Sequence, residues 1–332
     1  MSLKKIASMV GTSASTVSRV LNNTSPTCAS KELQDKIWKA AREINYHPNE
    51  NARSLKKPAK ASKIFPHISI VLARISSLEE DPFFLELFRD LEVELLKQKA
   101  SIDNVIYADE SFNQDIMHSS GVLILGRCSY KLLDKISAQN HNVVGIWRNP
   151  MNFNVDEVVC DGKKAAEMAM KYLFSLGHQR IAYIGDCSFE RRYVGYCDTL
   201  IRNDIPIDYE LIKQTKGDAD MAFSELLDKK LAGDTDFSAV FCANDNTAIR
   251  VLEMLKAKKR KLKQPVSVIS IDNIEASENT QPYLTTIHIP HREMAHMAVA
   301  LLLDRIAKEH KEVVRIEFPC KIIERDSCYR LL

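Results

Sequence analysis

The chain has 332 residues, is 45% hydrophobic, and carries 46 Lys/Arg against 44 Asp/Glu. That length and apolar content can bury more than one core, which predicts two or three domains. No stretch approaches the roughly 18–20 apolar residues of a membrane span, and no signal peptide precedes the first polar helix, so a cytoplasmic protein is expected. The near-neutral total hides an asymmetry. Residues 1–63 hold twelve Lys/Arg and four Asp/Glu, while the remainder holds 34 basic and 40 acidic residues. A basic head on a mildly acidic body favours a nucleic-acid partner at one end only.

Residues 3–22, LKKIASMVGTSASTVSRVLN, read as two short helices joined at Gly11. Ala7 is small enough for close helix crossing, Gly11 tolerates a sharp turn, and Val17 and Val20 put one apolar edge inward. The outward face is Ser13, Ala14, Ser15, Thr16, Ser18 and Arg19, short and polar enough to enter a major groove. This predicts a helix-turn-helix, the alternative being a helical hairpin that caps a larger domain. A polar loop with Pro26 follows, and Ser30 is placed to N-cap a third helix over 31–44, with Leu33, Ile37, Ala40, Ala41 and Ile44 at helical spacing. A short helical run, 50–56, is stopped by Pro58, and 58–63 reads as a linker.

From residue 64 strands and helices alternate. Apolar runs suited to buried parallel strands are 68–73, 121–126, 143–147, 181–185, 239–242, 266–271 and 284–289, and amphipathic helices separating them include 83–98, 162–176, 246–258 and 291–308. The series occurs twice, which predicts an α/β body of two doubly wound parallel-sheet lobes with a ligand cleft between them, at the carboxyl ends of the strands. The eight cysteines show no CxxC pair and no His at ligand spacing, so reduced, buried thiols and no metal are expected. Carboxylates such as Asp161 and Asp272 are present without a nucleophile elbow, P-loop or metal cluster; no catalytic residue and no cofactor are assigned.

These residues resemble the lac repressor/galactose repressor (LacI/GalR) family of bacterial transcription regulators over essentially the whole chain. STVSRVLN at 15–22, NYHPN at 45–49 and ARSLK at 52–56 resemble its head and hinge; DPFF at 81–84, LGHQRIAYIG at 176–185, AND at 243–245 and YLTTI at 283–287 fall in its order in the body. The resemblance implies an all-α helix-turn-helix head (1–48), a hinge helix and linker (49–63), and a two-lobed periplasmic-binding-protein-like body (64–332). Lobe 1 is expected over 64–160 and 290–318, and lobe 2 over 161–287 and 319–332. It further implies a homodimer on a pseudo-palindromic operator in double-stranded DNA, with no membrane partner, and an operator affinity switched by a small effector, a sugar or glycoside, with galactosides in view. The missing leucine-heptad tail favours a dimer over a tetramer.

Carried over residue by residue, Ala14, Ser15 and Arg19 match base-reading positions, and Thr16, Ser18, Asn22 and Asn49 phosphate-holding ones. Leu55 matches a minor-groove wedge, with small Ala52 beside it. Arg192, Asn244 and Asp272 match hydroxyl-binding positions, with Trp147 and Phe84 as apolar cover. Simpler roles stand beside these: Asp272 closing a strand-end turn, Asn244-Asp245 N-capping the following helix, Arg192 pairing with Glu190 on the surface, Leu55 packing on the body. The chain departs from the family pattern at Lys5, Thr12, Trp147, Ala219 and Arg250, and 100–121 is too short for a full strand and helix. A sugar- or nucleoside-processing enzyme and a solute-binding receptor are the competing functions for the same cleft.

Overall fold

The structure is a computed structural model that describes residues 3–21, 29–44, 65–73, 75, 77–109, 112–188, 190–215 and 219–331. Asn22, most of the loop with Pro26, and the expected hinge with Asn49, Ala52 and Leu55 lie outside the described residues.

The head consists of α1 (Leu3–Val10), α2 (Ala14–Leu21) and α3 (Lys31–Glu43). Ile6, Ala7, Val17, Val20, Leu21, Ile37, Ala40 and Ala41 make its small core. The α1–α2 turn depends on Gly11, which sits at φ +68°, a conformation costly for any side chain. Ser30 caps α3 by accepting from Leu33 N at 3.3 Å. This helix also meets the body. Arg42 donates to both oxygens of Glu92 at 3.1 and 3.2 Å, and Asp35 pairs with Arg89 at 3.2 Å. Burial pushes the Glu92 carboxyl up to about 7, against the pull of Arg42 and Arg89.

The body is built on two six-stranded sheets. The first has strand order β11-β5-β4-β3-β1-β2, all parallel, from β1 (His67–Ala73), β2 (Ser101–Ala108), β3 (Gly121–Gly126), β4 (Val143–Trp147), β5 (Asp156–Val159) and β11 (Arg315–Glu317). The second has order β12-β10-β9-β8-β6-β7, from β6 (Ile181–Gly185), β7 (Ile212–Gln214), β8 (Ala239–Cys242), β9 (Ser267–Asp272), β10 (Thr285–His288) and β12 (Lys321–Ile323); only β12 runs antiparallel. In both sheets the first strand lies between the second and third. Such a switch point opens a crevice at the carboxyl ends of the strands. Helices α4 (Pro82–Lys97) and α10 (His291–Ala307) pack together against the first sheet; α6 (Gly162–Ser175), α7 (Arg191–Arg202) and α9 (Asp245–Lys258) cover the second. The remaining α-helices among the described residues are α5 (Tyr130–Ser137) and α8 (Ala219–Ala232).

The expectation that 100–121 is too short for a full strand and helix holds for the helix and fails for the strand. Residues 101–108 form a full strand at the sheet edge, paired with β1, and only the helix before β3 is missing among the described residues. As an edge strand it is mostly half-exposed, so SIDNVIYA lacks the apolar run that marks a buried one. Arg250, a departure without explanation in the sequence, pairs with Asp220 across α9 and α8.

Candidate functional site: a DNA-reading head and an interlobe cleft

On α2, Val17, Val20 and Leu21 face the head core, while Ser15 and Arg19 are exposed and Ala14, Thr16 and Ser18 half-exposed. Ser13 precedes the helix and caps it: its Oγ accepts from Thr16 N at 3.0 Å and lies 2.8 and 2.9 Å from the Ser15 and Thr16 hydroxyls. The helix N-terminus therefore presents a row of hydroxyls, with Arg19 the one cation of α2, the chemistry expected for phosphates and base edges.

The cleft is assembled from five separate segments. Arg148, just past β4, is its centre. It donates to Asp81 at 2.9 Å and reaches across to Asp272 of the other lobe at 3.5 Å. Its guanidinium lies over the Phe83 and Phe84 rings, 4.4 and 4.6 Å from their centroids. Asp81 also caps α4, accepting from Phe84 N at 3.4 Å, which fixes both rings beneath the guanidinium. A second contact between lobes runs from Asn149 Nδ2 to Glu190 at 3.4 Å.

Arg192 is buried, not on the surface. Its guanidinium donates to both Glu190 oxygens at 2.9 and 3.0 Å and to the Ala243 carbonyl at 2.6 Å. Burial alone would raise the Glu190 carboxyl, but the charge and hydrogen bonds of Arg192 hold it near 2. Gly195, one turn on, lets α7 lie close on α6, since a Cβ there would stand 2.6 Å from the Lys163 carbonyl oxygen. That approach sets Arg191 and Arg192 at the cleft rim, where Arg191 pairs with Asp161 at 3.1 Å.

Asn244 caps α9, its Oδ1 accepting from Thr247 N at 2.9 Å, which leaves its amide NH2 outside the cap. Asp245, expected from the sequence only as part of an N-cap, is fully buried. It accepts from Ser270, from Thr286 and from Ile274 N (2.6, 2.5 and 2.9 Å) and so pins the loop that follows Asp272. Asp272 itself ends β9 at φ +130°, and burial pushes its carboxyl up to about 7 despite Arg148 and Arg192.

A cavity of about 40 Å³ is lined by Glu80, Asp81, Pro82, Phe83, Asn244, Asn246, Asp272 and Ile274. That volume holds a few waters and no sugar ring. Of the residues at the contact between the lobes, Arg148 Nε, Asn149 Oδ1 and Asp272 Oδ1 are buried with no hydrogen-bond partner among the described residues, and of these three residues only Asp272 lines the cavity. Phe84 lies under Arg148 and Arg192 behind Glu190, so neither lines the cavity. Trp147 does not cover the cleft as expected. Side chains alternate along a strand, and the alternation sends Trp147 into the first lobe's core against Phe153, leaving Arg148 to face the other lobe. No group of three or more His, Cys, Asp or Glu that could hold a metal occurs among the described residues, and none of their helices is long and apolar enough to cross a membrane.

A helical head that offers a polar helix to DNA, joined to two doubly wound lobes around a polar cleft, defines a DNA-binding transcription regulator with a ligand-binding domain. Residues 2–49 match the lacI family of bacterial regulatory proteins, and residues 170–328 match the periplasmic binding protein-like domain. The chain thus pairs a lacI-family head with a periplasmic binding protein-like body. It is 28% identical over 341 residues to the probable HTH-type transcriptional repressor ExuR of Bacillus subtilis, covering 99% of this chain and 98% of that protein. To the HTH-type transcriptional repressor PurR of Vibrio cholerae it is 28% identical over 340 residues, covering 98% and 97%. The fold is shared with the transcriptional regulator CelR in complex with cellobiose (TM-score 0.69, 24% identity, 99% and 100% covered). It is also shared with the lac repressor dimer bound to operator and an anti-inducer (TM-score 0.67, 20% identity, 99% of each chain).

Proposed function

We propose that the chain is a cytoplasmic repressor that binds a pseudo-palindromic operator as a homodimer, and that an uncharged polyhydroxylated effector, a sugar or glycoside, sets its operator affinity. The observation that carries the effector class is the set of unpaired polar atoms at the contact between the lobes. One is a donor (Arg148 Nε) and two are acceptors (Asn149 Oδ1 and Asp272 Oδ1), and a hydroxyl serves both kinds. A site left with buried unpaired groups favours a ligand that pairs them and rejects analogues that cannot. Phe83 and Phe84 offer an apolar floor once Arg148 moves aside.

The same geometry suggests how binding reaches the DNA. The lobes touch through Arg148–Asp272 and Asn149–Glu190, and a ring-sized ligand must break or rearrange these contacts to enter. Lobe orientation and occupancy are thereby coupled, and through the chain at the head so is operator affinity. An enzyme in this cleft is disfavoured by the absence, among its residues, of a nucleophile held by a base.

A thermal-shift screen of mono- and disaccharides, galactosides, uronates and purines against the full-length chain tests the effector class. Tight sugars raise the melting temperature and change operator affinity in a gel shift; a response confined to purines overturns the polyol reading. Loss of the gel shift on removal of residues 1–63 tests the head. Arg19→Ala is expected to relax base preference at one position of each half-site, by about 1–3 kcal/mol.

A further inference from the structure

Many surface cations of the second lobe are matched by acids: Lys163 by Asp198, Arg180 by Asp208, Lys213 and Lys229 by Glu225, Lys230 by Asp236, and Arg250 by Asp220. One run is not. LKAKKRKLK at 255–263 places Lys256, Lys258, Lys259, Arg260, Lys261 and Lys263 within eight residues and no acid among them; the nearest in sequence is Glu253, one turn earlier. These are six of the 34 basic residues in a body that is acidic overall. Lys258 is half-exposed and the other five are exposed, and none of the six side chains has a hydrogen bond or ion pair with a described residue. The run is fixed in place. It comprises the last turn of α9, a 3-10 turn (Lys259–Lys261) and the start of the loop to β9, and Leu255 and Leu262 anchor it on the lobe's core. Helix α9 starts at its Asn244 cap beside the cleft and runs for 14 residues, so its far end lies about 21 Å away. A helix C-terminus favours cations in its last turn, which accounts for Lys256, Lys258 and Lys259. Arg260, Lys261 and Lys263 lie past that turn, and like charges so close repel one another until a polyanion neutralises them.

We propose that residues 256–263 are a second DNA-contacting surface, which holds the phosphates of a duplex segment other than the operator without reading its bases. Duplex DNA carries a phosphate about every 3.4 Å of axis on each strand, and eight residues of helix and turn span about 12–16 Å, so the run matches about four phosphates of one strand. Lysine ammonium groups act there as point charges, which position a duplex without specifying sequence. An anionic membrane would attract the same charge. The run, however, exposes no large apolar side chain to enter a bilayer, since its two leucines are turned to the core. The head already brings DNA to the chain and so raises the concentration of duplex around the run. A chain whose head holds one segment and whose second lobe holds another bridges two stretches of DNA.

The test labels the lysines of the full-length chain with an acetylating reagent, with and without a saturating 30-base-pair duplex of arbitrary sequence, and maps the sites by mass spectrometry. Duplex should slow acetylation severalfold at Lys256, Lys259, Lys261 and Lys263, the protection should vanish in high salt, and Lys164 on α6 should keep its rate. The second readout is a variant with Gln at all six positions. Its affinity for the duplex at about 50 mM salt should fall at least about tenfold, and its salt slope should drop by about three. An unchanged melting temperature shows that the exposed substitutions leave the fold intact. Protection confined to Lys4 and Lys5 of the head, or a variant with the wild-type affinity and slope, overturns the second surface. Protection by phosphatidylserine–phosphatidylcholine vesicles but not by duplex overturns it in favour of a membrane.

Discussion

In the head, every described residue expected to meet DNA lies between Ser13 and Arg19, on one helix or at its cap. In the cleft, Asp81, Arg148, Glu190, Asn244 and Asp272 come from five segments on both sheets. The first site is local: once α2 forms, its outer face exists whatever the rest of the body does. The second exists only when two sheets have folded and met. Its residues consequently carry structural duties as well as binding ones, and substitution there should cost stability where substitution on α2 does not.

The sharpest break of that contrast is Arg192→Ala. The variant leaves Glu190 buried without its cation and the Ala243 carbonyl without its donor. Removing one partner of a buried ion pair costs about 3–5 kcal/mol, so urea unfolding should show a large loss for the body before any question of ligand arises. A variant within about 1 kcal/mol of wild type, the range of exposed pairs, would show that Glu190 and Arg192 separate freely. Arg19→Ala, on an exposed face, should leave stability nearly unchanged.

Salt separates the two sites next. Twelve basic residues in the first 63, doubled in a dimer, suit several phosphate contacts. Operator affinity should fall on the order of a thousandfold between about 50 and 200 mM salt. The affinity of an uncharged ligand for the buried cleft should change by less than about twofold over the same range. Equal salt slopes for operator and ligand would mean that the ligand is an anion, against the polyol reading.

What could be read from the sequence follows the same division. The helix-turn-helix was legible because its pattern is contiguous: a glycine turn, two inward valines and a polar outer face within twenty residues. The buried central strands were legible as apolar runs. Strand β5 was not, because it begins with Asp156 and Glu157, both buried and held by Arg305, His310 and Arg315, partners some 150 residues away. Short or edge strands such as β2, β7 and β12 lack a continuous apolar stretch for the same reason that they are exposed. In the cleft, residue types matched a binding site, but the sequence could not show that Arg192 is spent on Glu190, that Asn244 and Ser13 are caps, or that Arg148 rather than Trp147 faces the ligand space. Those facts depend on which strand ends face each other.

Proton linkage gives a smaller effect confined to the body. Burial raises Asp272 to about 7, Asp245 to about 6 and Glu92 to about 7. A carboxyl whose folded value is raised above its unfolded one binds its proton more tightly in the folded chain. Its contribution is fully present below the unfolded value near 4 and is lost as pH rises towards 7. Stability should therefore decline over that interval. Asp272→Asn should flatten the decline by up to about 1.4 kcal/mol per pH unit, read as melting temperature against pH. Coincident profiles for wild type and variant would show that Asp272 is solvated and ionised as in the unfolded chain.

The smallest difference concerns the two caps, and it asks whether a residue can serve structure and recognition at once. Ser13 caps the DNA-facing helix and Asn244 caps α9 at the cleft, each accepting one backbone N–H, at 3.0 and 2.9 Å. Alanine at either position should cost about 1 kcal/mol through the lost cap alone. Aspartate retains a capping oxygen and adds a negative charge that suits a helix N-terminus, so Ser13→Asp and Asn244→Asp should each unfold close to wild type. Their recognition should nevertheless fail. Ser13→Asp sets an anion against the phosphates and should weaken operator binding severalfold. Asn244→Asp removes the amide donor and places another carboxylate beside Glu80, Asp81 and Asp272, which should abolish the melting-temperature response to whichever sugar the screen identifies. Wild-type operator affinity in Ser13→Asp would reduce Ser13 to a cap, and an undiminished sugar response in Asn244→Asp would do the same for Asn244. Because both variants keep their caps, either failure of recognition is read free of any loss of fold.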